Sequence, residues 1–251
     1  MKVYFVGAGP GDPELITLKG KAVIERCLVI IYAGSLVNPA ILSWARPGAA
    51  MHDSAAMTLD EVIAVVSKAH GEGHDVARVH SGDPAIYGAI AEQMERLDQL
   101  GIEYEVIPGV SSFLASAAAL RRELTAPGVT QTIILTRMSG RTPAPAREDL
   151  DHLAKIGATL VIFLSVDKLR DAIVKLSPAY GYDTPVRVVY RASWPDQKIV
   201  EGTLGDIADK VEASGITKTA LILVGRALAG GAETSKLYDR TFSHGFRKAK
   251  P

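Results

Sequence analysis

Short apolar runs alternate with longer amphipathic segments through the first half of the chain, the pattern of parallel strands joined by crossover helices. Residues 2–6, 28–32, 75–80 and 104–107, rich in Val, Ile and aromatic side chains, read as strands. Residues 17–26, 59–70, 86–100 and 111–120 read as helices. Thr58 suits the N-cap of the second helix, with Asp60 and Glu61 in its first turn. Gly101 stops the third. The second half changes character, with strands predicted at 131–136, 159–164, 186–190, 198–202 and 220–224. Only 191–197 separates the third of these from the fourth. That is too short for a parallel crossover, so the pair is predicted to form an antiparallel hairpin in a mixed sheet. The stretch 121–130, with Pro127-Gly128, is the best junction between domains spanning 1–120 and 121–251. The basic tail from Thr241 is expected to fray.

At 251 residues and 47% hydrophobic, the chain can bury a substantial core. Lys plus Arg and Asp plus Glu each number 28, so the net charge is zero. That balance argues against a broad footprint for nucleic acid or an anionic membrane. Cys27 is the single cysteine, which excludes an intrachain disulfide framework and fits a reducing cytoplasm. It reads as a buried small apolar side chain. Residues 27–45 carry no formal charge, but Gly34, Ser35 and Asn38-Pro39 break them short of the ~20 residues a membrane helix needs. They are predicted to form a strand, a loop and a new helix of a soluble protein. No charged-then-apolar leader precedes Val3.

Four loops follow predicted strands and share small, backbone-exposing residues. They are Gly7-Ala8-Gly9-Pro10-Gly11-Asp12, Tyr32-Ala33-Gly34-Ser35, Ser81-Gly82-Asp83-Pro84 and Ile107-Pro108-Gly109-Val110-Ser111-Ser112. One such loop is an ordinary turn. Four at the carboxyl ends of parallel strands are predicted to gather around one crevice, where ligands of such sheets bind. The first loop looks like a dinucleotide fingerprint and fails to be one. Its sixth position is Asp12, which sets a carboxylate against the phosphates, and Pro10 and Pro13 remove donors and delay the helix to about Thr17. The histidines show no zinc spacing, no Ser-His-Asp arrangement is evident, and no metal is predicted. His80 either approaches the crevice or is a strand-end imidazole satisfied by backbone.

The string Gly-Ala-Gly-Pro-Gly-Asp-Pro-Glu-Leu-Ile-Thr-Leu-Lys-Gly from Gly7, with Ser81-Gly82-Asp83-Pro84 and the 107–112 loop, resembles the tetrapyrrole methylase family. That family commonly has Gly where this chain has Ser81. Tyr32-Ala33-Gly34-Ser35-Leu36-Val37, Leu-Thr-Ala-Pro-Gly-Val-Thr-Gln-Thr from Leu124 and Leu-Thr-Arg-Met-Ser-Gly-Arg-Thr-Pro from Leu135 resemble the branch acting at C11 of precorrin-4. The likeness runs from residue 2 to about 226. It implies a two-domain α/β fold, with a mainly parallel N-terminal sheet and a mixed C-terminal sheet, usually assembled as a homodimer. It also implies S-adenosylmethionine folded into the cleft between domains and a precorrin in a trough of the first domain.

Carried onto matching positions, the resemblance assigns the cofactor to Pro10, Ser81, Gly82, Asp83, Ile86, Ser111, Ser112, Leu164, Ala192 and Ala220. The chemistry suits these residue types. The methionine end and ribose want amides, hydroxyls and a carboxylate, which Gly82, Ser111, Ser112 and Asp83 supply. The adenine and methyl want apolar walls, which Ile86, Leu164 and Ala220 supply, although Leu164 and Ala220 taken alone read more readily as plain core. Carboxylates of the tetrapyrrole are assigned to Arg137 and Arg141, with Tyr32 and Ser35 facing the macrocycle. Met138, Tyr190 and Trp194 either pack on the ring or belong to the core. No general base is expected. The alternatives are methylation of another ring carbon of a related precorrin or uroporphyrinogen III, a nicotinamide-dependent oxidoreductase, or a tetrapyrrole carrier without an adenosyl pocket.

Overall fold

Strands rich in Val and Ile, covered on both faces, shape the first of two units in the computed structural model, which describes residues 1–140, 142–230 and 235–249. This unit comprises Met1–Ala115 and Arg191–Asp196. Its strands are β1 (Val3–Gly7), β2 (Val29–Tyr32), β3 (Ala50–Asp53), β4 (Val76–His80) and β5 (Tyr104–Ile107). They form a sheet in the order β3-β2-β4-β1-β5 with every pair parallel. Alternation along the strands sends Val6, Ile30, Ala77 and Val79 to one face. There they meet Val23 and Ile24 of α1 (Leu18–Arg26) and Ile41 of α2 (Pro39–Leu42). Val3, Phe5, Val29 and Ile31 face the other way, against Val62, Ile63 and Val66 of α3 (Leu59–Gly71) and Leu97 of α4 (Ala91–Gln99). The helix α5 (Ser112–Leu120) follows β5.

Thr58 caps α3 as its sequence predicts. Its hydroxyl accepts the Glu61 amide at 3.3 Å while the Glu61 carboxylate accepts the Thr58 amide at 2.6 Å, closing a capping box. Cys27 is fully buried, and burial pushes its thiol up to about 12. Residues 27–45 form β2, a loop and the short α2, and no helix among the described residues is long and apolar enough to cross a membrane.

Two expectations for this half need correcting. The edge strand β3 went unpredicted because Ala-Met-His-Asp is mostly exposed and shows no apolar alternation. The helix expected over 86–100 begins only at Ala91. Between Pro84 and Ile90 the chain is contorted, with Tyr87 and Ala89 at φ of 55° and 49°. A Cβ on Gly88 would lie 2.9 Å from the Pro84 carbonyl carbon. Helical geometry is therefore excluded until the chain clears that turn.

The second unit, Ser116–Tyr190 with Gln197–Pro251, carries β6 (Ile133–Arg137), β7 (Thr159–Phe163), β8 (Pro185–Tyr190), β9 (Lys198–Thr203) and β10 (Ala220–Val224). Their order is β6-β7-β10-β8-β9; β6 and β7 run parallel and the remaining pairs antiparallel, a mixed sheet. The expected hairpin is β8–β9, with Val188 opposite Val200. Helices α6 (Leu150–Leu153), α7 (Leu169–Tyr180) and α8 (Ile207–Ser214) join this half, where the sequence reading named only strands. Leu150, Leu169, Leu176, Ile207 and Val211 pack with Leu160, Ile162, Val186, Val188 and Ile222 in one core.

Candidate functional site

In the first unit, β1 and β4 are neighbours whose onward connections run to opposite sides of the sheet. The loops leaving them therefore flank a topological switch point, where a parallel sheet opens a crevice. Backbone contacts hold these loops together. The Ala8 amide donates to the His80 carbonyl at 2.8 Å, and Gly9 and Gly82 exchange amide bonds of 3.2 and 2.7 Å. Both glycines are left-handed, at φ of 79° and 63°. The loop after β5 closes against them, because a Cβ on Gly7 would lie 2.6 Å from Gly109 Cα and 2.8 Å from the Gly82 oxygen. Three backbones thus cross where only hydrogens fit. From Gly82 the next neighbours are Ser111 Cα and the Ser112 nitrogen, each 3.7 Å from where its Cβ would stand. The loop after β2 joins through Ala33, whose amide donates to the Val79 carbonyl at 3.1 Å, and through Asn38, whose Nδ2 donates to the Gly11 carbonyl at 2.7 Å.

Within this cradle Pro10 and Ser111 are buried, while Ser81, Gly82, Ser112 and Ile86 are half-buried. Ile86 lies in the turn after Asp83 rather than on a helix, its amide donating to the Asp83 carbonyl at 3.2 Å. Asp83 is engaged differently from its expected ribose-facing part. Its Oδ1 accepts the Ala85 amide at 2.8 Å and its Oδ2 the Gly109 amide at 2.9 Å. The carboxylate braces two loops against each other, each oxygen accepting one amide. Asp83→Ala removes two charge-assisted bonds of about 1.5–3 kcal/mol each. We expect ligand affinity at this site to fall on the order of 10-fold or more, with Asp83→Asn intermediate. Unchanged titrations for both variants would take Asp83 out of the site.

Tyr32 is half-buried against the core around Val6 and Ile30. Ala192 is buried, at 5% exposure, in the 191–196 segment of the same unit. Arg141 and the Ser35 side chain lie outside the described residues. In the second unit, Leu164 follows β7 with φ of 51° and its side chain 70% exposed. A branched residue held left-handed and pointing outward is strained, a feature concentrated at functional positions. Ala220 opens β10 and is buried. Arg137 donates through Nη1 to the Met138 and Thr142 carbonyls at 3.2 and 2.9 Å, so it braces its own loop before it grips anything else. Met138 and Tyr190 pack with the second core. Trp194 is not core: its indole N–H donates to the Pro10 carbonyl at 2.9 Å.

The electrostatics of the cradle are unusual for a phosphate site. The four loops contain Asp12 and Asp83 and no Lys, Arg or His. In the first loop the Ala8 and Gly9 amides are spent on β4 and its turn, Pro10 has none, and the Asp12 amide donates to Ser193 Oγ at 2.9 Å. Among the described residues, that leaves the loop with almost no donors for a diphosphate, which needs several converging amides. The surroundings favour a neutral or cationic ligand rich in hydroxyls.

Behind the cradle, His80 is buried at 4% exposure and its Nε2 has no partner among the described residues. Burial, with the Arg78 guanidinium two residues away, drives its imidazole down to about 3. Arg78 is itself buried, and its Nε donates to Gln93 Oε1 at 3.0 Å. No group of three or more potential metal ligands exists among the described residues.

The family model for tetrapyrrole (corrin/porphyrin) methylases matches residues 2–208. A cobalt-precorrin-4 C(11)-methyltransferase of Methanocaldococcus jannaschii is 54% identical over 251 residues, covering 99% of this chain and 96% of that protein. The X-ray structure of a cobalamin biosynthetic enzyme, cobalt precorrin-4 methyltransferase, superposes with a TM-score of 0.88 at 47% identity, covering 90% of this chain and 95% of the other. A uroporphyrin-III C-methyl transferase from Thermus thermophilus, complexed with S-adenyl homocysteine, has a TM-score of 0.77 at 30% identity, with 93% and 96% covered.

Proposed function

Because the chain belongs to the tetrapyrrole methylases, we propose that it transfers a methyl group from S-adenosylmethionine to C11 of precorrin-4, or its cobalt-loaded counterpart, to give precorrin-5. The observation that carries this reading is the cation-free cradle at the β1–β4 switch point. Its crossing glycines let three loops converge, Ser81, Ser111 and Ser112 offer hydroxyls, and Asp12 and Asp83 make the surroundings negative. A sulfonium donor with a ribose fits that set of groups. A pyrophosphate does not.

S-adenosylmethionine supplies an electrophilic methyl whose transfer is an in-line displacement that disperses positive charge. The chain's part is to align the partners and exclude water, which contributes more here than proton transfer. The ring carbon is enamine-like and already nucleophilic, so no side chain need act as a base. Pro10, Ser81, Gly82, Ser111, Ser112 and Ala192 hold the cofactor, with Asp83 fixing the turn that carries Gly82 and Ile86. Leu164 and Ala220 of the second unit are assigned apolar contacts to the same molecule. Tyr32 and Ser35 face the macrocycle, and Arg137, whose Nε–H the bracing bonds leave over, pairs with Arg141 in taking ring carboxylates. A cytoplasmic homodimer completes the reading.

Methylation of another ring carbon is the sibling alternative, favoured less because the 54% identical relative carries the C(11) name and the uroporphyrin-III relative is at 30%. A nicotinamide-dependent oxidoreductase is disfavoured by the spent amides of the first loop. Calorimetry separates the classes. We expect S-adenosylhomocysteine to bind with a one-to-one stoichiometry per chain and NADH to give no heat. NADH binding without S-adenosylhomocysteine binding would overturn the reading.

A further inference from the structure

The segment between β8 and β9 does more than turn the chain. Arg191–Asp196 groups with the first unit and is bent twice into left-handed backbone, at Arg191 (φ 45°) and Ser193 (φ 68°). Neither is glycine, and each such residue costs about 1–2 kcal/mol, so something in the fold holds the bend. Within the segment the Trp194 amide donates to the Arg191 carbonyl at 3.0 Å, and two side-chain bonds tie it to the first loop. Trp194 Nε1–H donates to the Pro10 carbonyl at 2.9 Å, and Ser193 Oγ accepts the Asp12 amide at 2.9 Å. Asn38 takes the Gly11 carbonyl between them. Three consecutive residues of the loop are therefore each fixed by a side chain from a distant segment.

Packing reinforces the polar bonds. The indole lies so close over Gly11 that a Cβ there would stand 2.8 Å from Trp194 Cγ and overlap Cδ1 and Nε1. Gly11 is thus required by Trp194, not by its own backbone angles. The Arg191 guanidinium lies over the Trp194 ring, 3.9 Å from the centroid, and is held by Asp196 at 2.6 Å. Ala192, assigned to the cofactor, is carried between the two left-handed residues.

Resting on the cofactor reading above, we propose that Trp194 is a positioning residue: with Ser193 it straps the first loop into the conformation that sets Pro10, and with it Ala192, against S-adenosylmethionine. The strap acts on the donor's affinity. It touches no reacting atom.

The test uses the whole chain and S-adenosylhomocysteine as the probe. Trp194→Phe keeps the ring and its stacking but loses the bond to Pro10, and is expected to weaken binding 5- to 10-fold with a thermal midpoint close to the parent's. Gly11→Ala, which drives the indole off the loop, is expected to weaken binding at least as much in the parent, yet less than 2-fold when added to Trp194→Ala. That coupling is a readout a merely structural role would not move. In a Trp44→Phe background Trp194 is the sole indole, and its emission is expected to change and saturate over the calorimetric titration range. If the parent binds the probe while Trp194→Phe binds equally well and the emission stays constant, this inference fails and the cofactor reading stands. If the parent does not bind the probe at all, the cofactor reading fails and takes this inference with it.

Discussion

Gly109→Ala is expected to weaken cofactor binding on the order of 100-fold or more while leaving a folded protein. The added methyl falls on the Gly82 carbonyl oxygen and 2.8 Å from Gly7 Cα, both backbone atoms that have no rotamer by which to move aside. The loops after β1 and β4 must separate, and the bond from the Gly109 amide to Asp83 stretches with them. Overpacking of this kind costs about 1–3 kcal/mol of stability. A displacement of about 1 Å in a positioned site costs on the order of 100-fold, so S-adenosylhomocysteine affinity should drop by that much or more. Gly71→Ala is the control, since a Cβ there meets nothing within 4 Å. Calorimetry and denaturant titration of the two variants give the answer. A Gly109→Ala protein that binds like the parent would show that the three crossing backbones do not form the site.

The second large effect is on acid stability. An unfolded histidine takes up its proton near the ordinary value of 6.5, whereas folded His80 resists until about pH 3. Its folded pKa is depressed, so its contribution to stability is fully present above pH 6.5 and is lost as pH falls toward 3. The slope approaches 1.4 kcal/mol per pH unit at its steepest, the value of one pKa unit, or about 2 kcal/mol by pH 5. The Arg78 charge opposes protonation alongside burial. His80→Phe, which keeps a ring beside Phe5, is expected to flatten the curve between pH 6.5 and 4. Denaturant titrations across that range would show it. An unchanged acid slope in His80→Phe would mean that His80 is not the group responsible.

Much of the cradle was legible in the sequence because glycine and proline at strand exits have a narrow physical meaning. The four loops, the β8–β9 hairpin, the Thr58 cap and the buried Cys27 follow from local patterns. The contorted turn at Tyr87–Ala89 was not legible, since nothing in Ala-Ile-Tyr-Gly-Ala-Ile distinguishes a helical start from a forced left-handed path until the Pro84 carbonyl is in place. The strap escaped for a related reason: Gly11 looks like one more flexible loop glycine, and only the fold brings Trp194 over it. The helix α7 also went unpredicted, although Leu169, Ala172, Leu176 and Tyr180 form its buried stripe, with Pro178 inside it.

Charged residues carry a structural duty that the sequence did not show. Asp83 and Arg137 were assigned to ligands because aspartate and arginine suit ribose and carboxylates. Both also hold backbone, Asp83 through the Ala85 and Gly109 amides and Arg137 through the Met138 and Thr142 carbonyls. Sequence gives the type of a charge but not its partner, and backbone amides and carbonyls compete for it everywhere in the fold.

The position of the transferred methyl group is the decisive observable. Precorrin-4 incubated with the protein and S-adenosylmethionine carrying a 13C-labelled methyl should yield one new labelled carbon, which carbon NMR locates on a quaternary C11. Label on another ring position, or none transferred while the protein still binds precorrin-4, would contradict the proposed function.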